Sequence, residues 1–184
     1  YEPKNKNLKF LRYWDYPKDV RHNLTENEAI EEFSFLLQDS VNLRLRSDVP
    51  VGLSLSGGLD STSILAAANL KKKNPINCLT SVYDENFFDE LKWAKNACQN
   101  SKSNLITVRS DQKNWLNSLK NIVWYMDAPG YSPAVYPMWN LTKLSRQEKI
   151  PVLLDGQGAD ESLAGYAQYK IHNIFENFNK NKKK

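Results

Sequence analysis

Leu53-Ser54-Leu55-Ser56-Gly57-Gly58-Leu59-Asp60-Ser61-Thr62-Ser63 decides how this chain is read. An apolar run rich in β-formers enters Ser-Gly-Gly-x-Asp-Ser, and helical periodicity follows at once. A strand that ends in two glycines and becomes a helix leaves its first backbone N–H groups aimed outward, where the helix dipole adds partial positive charge. Such a turn is a natural seat for phosphate. The glycines permit a close backbone approach that a Cβ would block. Ser56 and Ser61 add hydroxyl donors. Asp60 is the odd member, because a carboxylate beside a phosphate repels it unless a divalent cation sits between them. The loop therefore implies a metal-bridged polyphosphate.

No Gly-Lys-Ser/Thr follows and no lysine reaches forward, so this is not the Walker pattern. The segment resembles the PP-loop of the N-type ATP pyrophosphatases, which cleave ATP between the α and β phosphates. Taken alone, it also reads as a glycine-rich strand-to-helix turn with an Asp N-cap.

The 184 residues suffice for one globular domain with a real core, and the net charge of +4 is mild. Much of that charge sits in the Lys180–Lys184 tail, and the other charges are interspersed, so no basic face for nucleic acid is expected. Cys78 in an expected strand and Cys98 in an expected helix lack metal-ligand spacing and read as reduced core residues of a cytoplasmic protein. No signal peptide or membrane-length apolar run is visible. A start at Tyr1 implies a piece of something longer.

Residues 1–24 are polar, broken by Pro3 and Pro17, with aromatics at Tyr13, Trp14 and Tyr16; they read as a linker or arm. The capping box Thr25-Glu26-Asn27-Glu28 opens a helix to about Arg46, with Ile30, Phe33, Leu37, Val41 and Leu45 at helical spacing. Strands are expected at Val51–Leu55, Asn77–Tyr83, Leu105–Val108 and Ile150–Leu154. Helices are expected at Ser61–Lys73, Glu90–Asn100, Gln112–Met126 and Pro137–Arg146. This alternation predicts an α/β fold, a parallel twisted sheet with helices on both faces, with ligands bound outside the carboxyl ends of the strands.

A second glycine-rich stretch follows the last strand: Asp155-Gly156-Gln157-Gly158-Ala159-Asp160-Glu161-Ser162-Leu163-Ala164-Gly165-Tyr166. It too takes a strand into glycines and then an acidic helix start. If it lies beside the first loop, Asp160 could meet Asp60 across one Mg²⁺, two carboxylates plus phosphate oxygens and waters being a reasonable site. Alone, Asp160 and Glu161 also read as helix-dipole charges.

Four segments now carry a specific resemblance to the synthetase domain of the asparagine synthetase family. They are Arg12-Tyr13-Trp14-Asp15; Arg44 through Gly52, with its Ser-Asp-Val-Pro run; Ser56 through Ser61; and Gly156 through Tyr166. They occur in family order across nearly the whole chain. The resemblance implies a PP-loop ATP pyrophosphatase fold (adenine nucleotide alpha hydrolase-like), with residues 25–184 an ATP-binding synthetase domain truncated at its C-terminus. The arm would come from a missing N-terminal glutaminase domain, whose cysteine nucleophile has no counterpart here. It further implies a ligase that adenylates a carboxylate, aspartate first, and then forms an amide with ammonia. On that footing Ser56, Gly57, Gly58, Leu59, Asp60 and Ser61 hold the pyrophosphate, and Asp60 and Asp160 bind Mg²⁺. Leu55 and Val82 contact adenine or ribose through their backbones, and Gly156 approaches the nucleotide.

The chain departs from the family at two of these places. Gln157 stands where a glutamate is usual and Asp155 where a serine is usual, so the number of carboxylates in the triplet is unchanged. In an extended segment residues two apart point to the same side, so Asp155 could place its carboxylate near the family glutamate's position, as a relocated base. It could equally do no more than cap the following turn. The departure keeps open an amidotransferase or cyclase acting on another acyl substrate; a nucleotide-binding module without catalysis is a further alternative, against which the intact Asp60 and Asp160 argue. The family's phosphate-contacting lysine lies beyond the end of this chain.

Overall fold

The computed structural model describes residues 8–16, 23–70, 75–83, 90–129 and 132–181. Two compact units divide the chain, Tyr1–Ser34 and Phe35–Lys184. In the first, Phe10, Tyr13, Trp14 and Tyr16 are exposed, and Arg12 pairs with Asp15 at 2.6 Å. Pro3, Pro17 and the last three lysines of the expected tail lie outside the described residues. The capping box forms as expected: the Thr25 amide donates to Glu28 Oε2 at 2.8 Å, and the Glu28 amide to Thr25 Oγ1 at 3.4 Å. The Thr25 hydroxyl and amide hold the Glu28 carboxyl below its ordinary value. Helix α1 runs from Glu26 to Arg44.

In the second unit, β1 (Val51–Ser54), β2 (Asn77–Val82), β3 (Asn104–Arg109) and β4 (Val152–Leu154) form a parallel sheet in the order β3-β2-β1-β4. Adjacent strand residues serve opposite faces, as the pleat requires. Cys78 and Leu79 are both fully buried, yet they belong to different clusters. On one face α2 (Leu59–Asn69) and α3 (Leu91–Asn100) bring Leu65, Ala68, Ala94 and Cys98 against Leu53, Leu55 and Cys78, with Val41 of α1. On the other, α5 (Val135–Gln147) sets Leu141 and Leu144 on Leu79, flanked by Ile106, Val108 and Leu153. A buried polar chain ties α5 to the strands: Asn140 Nδ2 donates to Ser110 Oγ at 3.0 Å, and Ser110 Oγ lies 2.7 Å from Ser81 Oγ. Helix α4 (Trp115–Met126) packs on α5. Two further helices, α6 (Ala159–Leu163) and α7 (Ala167–Asn181), follow β4. No helix among the described residues is long and apolar enough to cross a membrane.

Several expected boundaries move for local reasons. Helix α2 starts at Leu59, two residues earlier than expected, so Asp60 lies inside its first turn rather than before it. Residues 71–74, over which that helix was expected to end, lie outside the described set. The expected helix from Gln112 opens as a 3₁₀ turn over Gln112–Asn114, because Asp111 accepts the Asn114 amide at 2.9 Å and tightens the entry. Pro137 sits in the first turn of α5, where its missing N–H leaves no bond unmade. Helix α7 has no counterpart in the sequence reading, and its Ile171, Ile174, Phe175 and Phe178 are exposed. Both cysteines are free and buried, and burial, with Cys98 alongside, pushes the Cys78 thiol far above its ordinary value.

Gly52 shows how tightly the sheet centre is filled. A Cβ there would stand 2.9 Å from Asn77 O, 2.9 Å from Ile150 Cγ2 and 3.1 Å from Leu153 Cδ2. Backbone on one side and core side chains on the other leave it no room to relax. Gly52→Val is expected to destabilise the domain by about 1–3 kcal/mol through overpacking, read as a lower urea midpoint at unchanged slope.

Candidate functional site

The strand order places the site. From β1 the chain steps one way to β2 and β3, then returns to put β4 on the other side of β1. The crevice between β1 and β4 is the point where the direction of winding reverses, the place where open α/β sheets receive ligands. Leu53 is in register with Leu154, so both glycine-rich loops leave the sheet side by side at its carboxyl edge.

The first loop is knotted by its own hydroxyls. Ser56 Oγ accepts the Gly58 amide at 3.1 Å and lies 3.1 Å from Ser61 Oγ, which accepts the Ser56 amide at 3.3 Å. Gly57 has φ +90°, and a Cβ on it would fall 2.8 Å from both the Ala94 nitrogen and Trp93 Cβ. Glycine is required there twice over, by the backbone angle and by the close passage of α3. Gly58 precedes α2 with an extended backbone and has no side chain to cap the helix start; its own amide is the one held by Ser56.

The second loop presses onto the first. A Cβ on Gly156 would lie 3.1 Å from Asp60 Cβ and 3.1 Å from the Ser61 nitrogen. Beyond it Gly158 takes φ +94°, and Asp160 follows in the first turn of α6. The Gly165 amide returns to Asp160 O at 3.0 Å, and a Cβ on Gly165 would fall on the Asp160 carboxylate, with Cγ at 2.8 Å. Glycine at 165 thus keeps the space that this carboxylate occupies.

Together the loops enclose an open cavity of about 540 Å³. Ser56, Gly58, Asp60 and Ser61 line it from one side, and Asp155, Gly156, Gln157 and Asp160 from the other. Eight of the residues singled out in the sequence therefore share one wall-to-wall space. Leu55 and Val82 do not line it. Leu55 is buried with its amide on Leu79 O at 2.9 Å and its carbonyl accepting Thr80 Oγ1 at 2.7 Å, and the Val82 carbonyl accepts the Ser110 amide at 3.0 Å. Gly57 supports the loop from α3's side, and the Leu59 side chain is exposed. The Asp155 carboxylate accepts the Gln157 amide at 3.3 Å, which is the turn cap.

Ser54, Gly158, Glu161 and Tyr166 also line the cavity and were not singled out as site residues. The signal for the last two was their place at the end of the second motif. Tyr166 donates its hydroxyl to Glu161 Oε1 at 2.9 Å, and that bond raises the Tyr166 pKa above its ordinary value. The donor set is all oxygen, carboxylate and hydroxyl, which suits a hard cation. No group of three or more His, Cys, Asp or Glu side chains placed to hold a metal occurs among the described residues. Mg²⁺ commonly takes only one or two protein carboxylates, with phosphates and waters completing its shell, and of the carboxylates lining the cavity Asp60 and Asp160 are the two that the sequence expected to hold such an ion.

The Tyr166–Glu161 bond sets a measurable proton affinity. Glu161→Gln removes the charge that holds the phenol proton, so the Tyr166 pKa is expected to fall toward the ordinary tyrosine value. Ultraviolet titration against a Tyr166→Phe control reads that shift.

Comparison with known proteins joins this geometry to a family. The asparagine synthase family model matches residues 32–182. Asparagine synthetase [glutamine-hydrolyzing] 1 of Bacillus subtilis (strain 168) is 37% identical over 147 residues, covering 79% of this chain and 23% of that protein. Amidase chyE of Penicillium rubens is 29% identical over 183 residues, covering 89% of this chain and 27% of that protein. An NH3-dependent NAD synthetase from Campylobacter jejuni superposes with a TM-score of 0.47 at 17% identity, covering 78% of this chain and 62% of that one. The chain spans about a quarter of the length of the two relatives. Since the matched residues run from α1 through both glycine loops and the cavity they enclose, the chain belongs to the asparagine synthase family.

Proposed function

We propose that this chain is the ATP-using part of an amide-forming ligase, in which a carboxylic acid is activated as its adenylate. The observation that carries the reading is the contact of Gly156 with the Asp60–Ser61 backbone, which joins a phosphate-binding turn and a second carboxylate loop in one cavity. The Ser56–Ser61 turn would seat the pyrophosphate portion of ATP, with Asp60 and Asp160 holding Mg²⁺ against it. The substrate carboxylate attacks the α-phosphorus, the bond to the bridging oxygen breaks, and pyrophosphate leaves. A nitrogen nucleophile then attacks the acyl carbon, AMP departs, and a proton is lost from nitrogen. An in-line displacement of this kind needs charge neutralisation and positioning more than covalent help, which is what the cavity offers. Such a ligase would work in the cytoplasm, in keeping with two free buried thiols.

Aspartate is the first acid to consider, with ammonia from a glutaminase domain as nucleophile, as the names of the synthetase relatives suggest. A second reading, a relative acting on another acid, is favoured by Asp155 and Gln157 in place of the usual serine and glutamate, and by the likeness to the amidase.

Phosphorus NMR of ATP turned over by the full-length protein is expected to show AMP and pyrophosphate; ADP as the main product would refute adenylation. Asp60→Ala should weaken Mg-ATP binding by the worth of a charged contact, about 1.5–3 kcal/mol, or roughly ten- to a hundredfold. Calorimetry on both forms measures it, and the ligand-free melting curve should not move.

Asp155→Asn separates the cap from the base. The amide oxygen of asparagine still accepts the Gln157 N–H, so the turn is expected to survive and amide formation to continue at a similar rate. Loss of acyl transfer with exchange of pyrophosphate into ATP intact would instead make Asp155 the base.

A further inference from the structure

Cys78 and Cys98 are two buried thiols for which the proposed adenylation has no use. Cys78 on β2 is fully buried, Cys98 on α3 is 3% exposed, and both belong to the core cluster between the sheet and that helix. The backbone brings them together. The Ser103 amide donates to Cys98 O at 2.9 Å and the Asn104 amide to Ile76 O at 2.9 Å, so the last turn of α3 is tied to the start of β2. The Cys78 thiol donates to Ile76 O at 3.9 Å, and the Cys98 thiol lies alongside it within hydrogen-bonding reach. The same helix bears on the phosphate loop. Ala94 stands one turn before Cys98 on one buried face of α3, and a Cβ on Gly57 would fall 2.8 Å from the Ala94 nitrogen. One end of that face therefore touches Gly57 and the other touches Cys78.

Resting on the Mg-ATP reading above, we infer that Cys78 and Cys98 form a reversible disulfide when a peroxide reaches them, and that this bond, acting through α3, loosens the hold of the Ser56–Ser61 loop on Mg-ATP. Cys98, the less buried of the two, reacts first: its thiolate attacks one peroxide oxygen, forming S–OH and releasing hydroxide, which takes the thiol's proton and becomes water. The Cys78 sulfur then attacks the sulfenic sulfur, the S–S bond forms, and a second water leaves with the Cys78 proton. Two thiols are oxidised by two electrons and one peroxide is reduced to two waters. Joining the sulfurs requires α3 and β2 to close on each other. β2 is held between β1 and β3, so the helix moves, and Gly57 moves with it. Burial raises the pKa of both thiols, and the thiolate is the reacting form, so the pair reacts only when α3 lifts from the sheet. In a reducing compartment the pair stays as two thiols.

The test uses the full-length protein with hydrogen peroxide as the probe. Mass spectrometry of the unreduced digest is expected to show a Cys78–Cys98 linkage, and calorimetry without the acid substrate a Kd for Mg-ATP at least fivefold higher, restored by dithiothreitol. Coupling is reciprocal, so saturating Mg-ATP should lower by the same factor the [GSH]²/[GSSG] ratio at which half the pair is oxidised in a glutathione buffer. Cys98→Ala should bind Mg-ATP as the reduced protein does and lose its response to peroxide, with Cys98→Ser as the second variant if the first does not fold. No linkage between these two cysteines overturns the inference, as does a linkage that leaves the Kd unchanged or a peroxide response that survives in the variants. Each of those results leaves the Mg-ATP reading standing. A reduced protein that does not bind Mg-ATP removes that reading and this inference together.

Discussion

The parallel pairing of β1 with β4 is the constraint on which the rest depends. These strands lie about a hundred residues apart in sequence, yet the register of Leu53 with Leu154 fixes where each chain leaves the sheet. Because the two strands run in one direction, both exits fall on the same edge. Antiparallel pairing would send one loop to the far side, and the carboxylates of the two loops could never share a ligand. The winding that brings β4 beside β1 also opens the crevice above them, since the helices that follow β1 and precede β4 cover opposite faces of the sheet.

Close passage then replaces side chains with backbone. Gly57 lets α3 approach, Gly156 lets the second loop lie on α2, and Gly165 leaves room for the Asp160 carboxylate. A Cβ would clash at Gly57 and Gly165 and crowd its neighbours at Gly156, and their joint effect is a cavity walled by amides, hydroxyls and carboxylates. Asp60, Asp155, Asp160 and Glu161 all line it, without a lysine or arginine among the described residues there. Two like charges 4 Å apart repel by about 4 kcal/mol at an effective dielectric near 20. A cavity so negative repels a bare polyphosphate and accepts one accompanied by a divalent cation. These electrostatics are what the proposed Mg-ATP site would need, whereas a lysine-based phosphate loop carries its own positive charge.

Much of this was legible in the sequence because the signals were local. Alternating apolar runs and helical spacing gave the strand and helix order, and the two glycine motifs marked the ends of β1 and β4 before their pairing was known. Three things were not legible. The one-turn 3₁₀ entry at Gln112–Asn114 depends on the Asp111 side chain, not on periodicity. Helix α7 places its apolar residues outward, so no burial within these residues announces it. The site's partition was also hidden. Leu55 and Val82 do not line the cavity, and the carbonyl of each accepts a hydrogen bond from a neighbouring strand or its end, while Glu161 reaches the cavity from α6 and Tyr166 from the segment that follows it. A distance between loops far apart in sequence cannot be read from either loop alone.

Gln157 gains its meaning from the same geometry. It lines both the cavity with four carboxylates and a smaller one between α4 and α5 in which none of the described lining residues is charged. A glutamate there would add a fifth negative charge to the wall of the first cavity. An amide avoids that charge while keeping a hydrogen-bonding group in place. The position of Asp155 completes the logic: its charge stays two residues back, held on the Gln157 N–H at 3.3 Å. The exchange of serine and glutamate for aspartate and glutamine thus keeps the number of carboxylates after β4 unchanged while moving the charge two residues toward the strand.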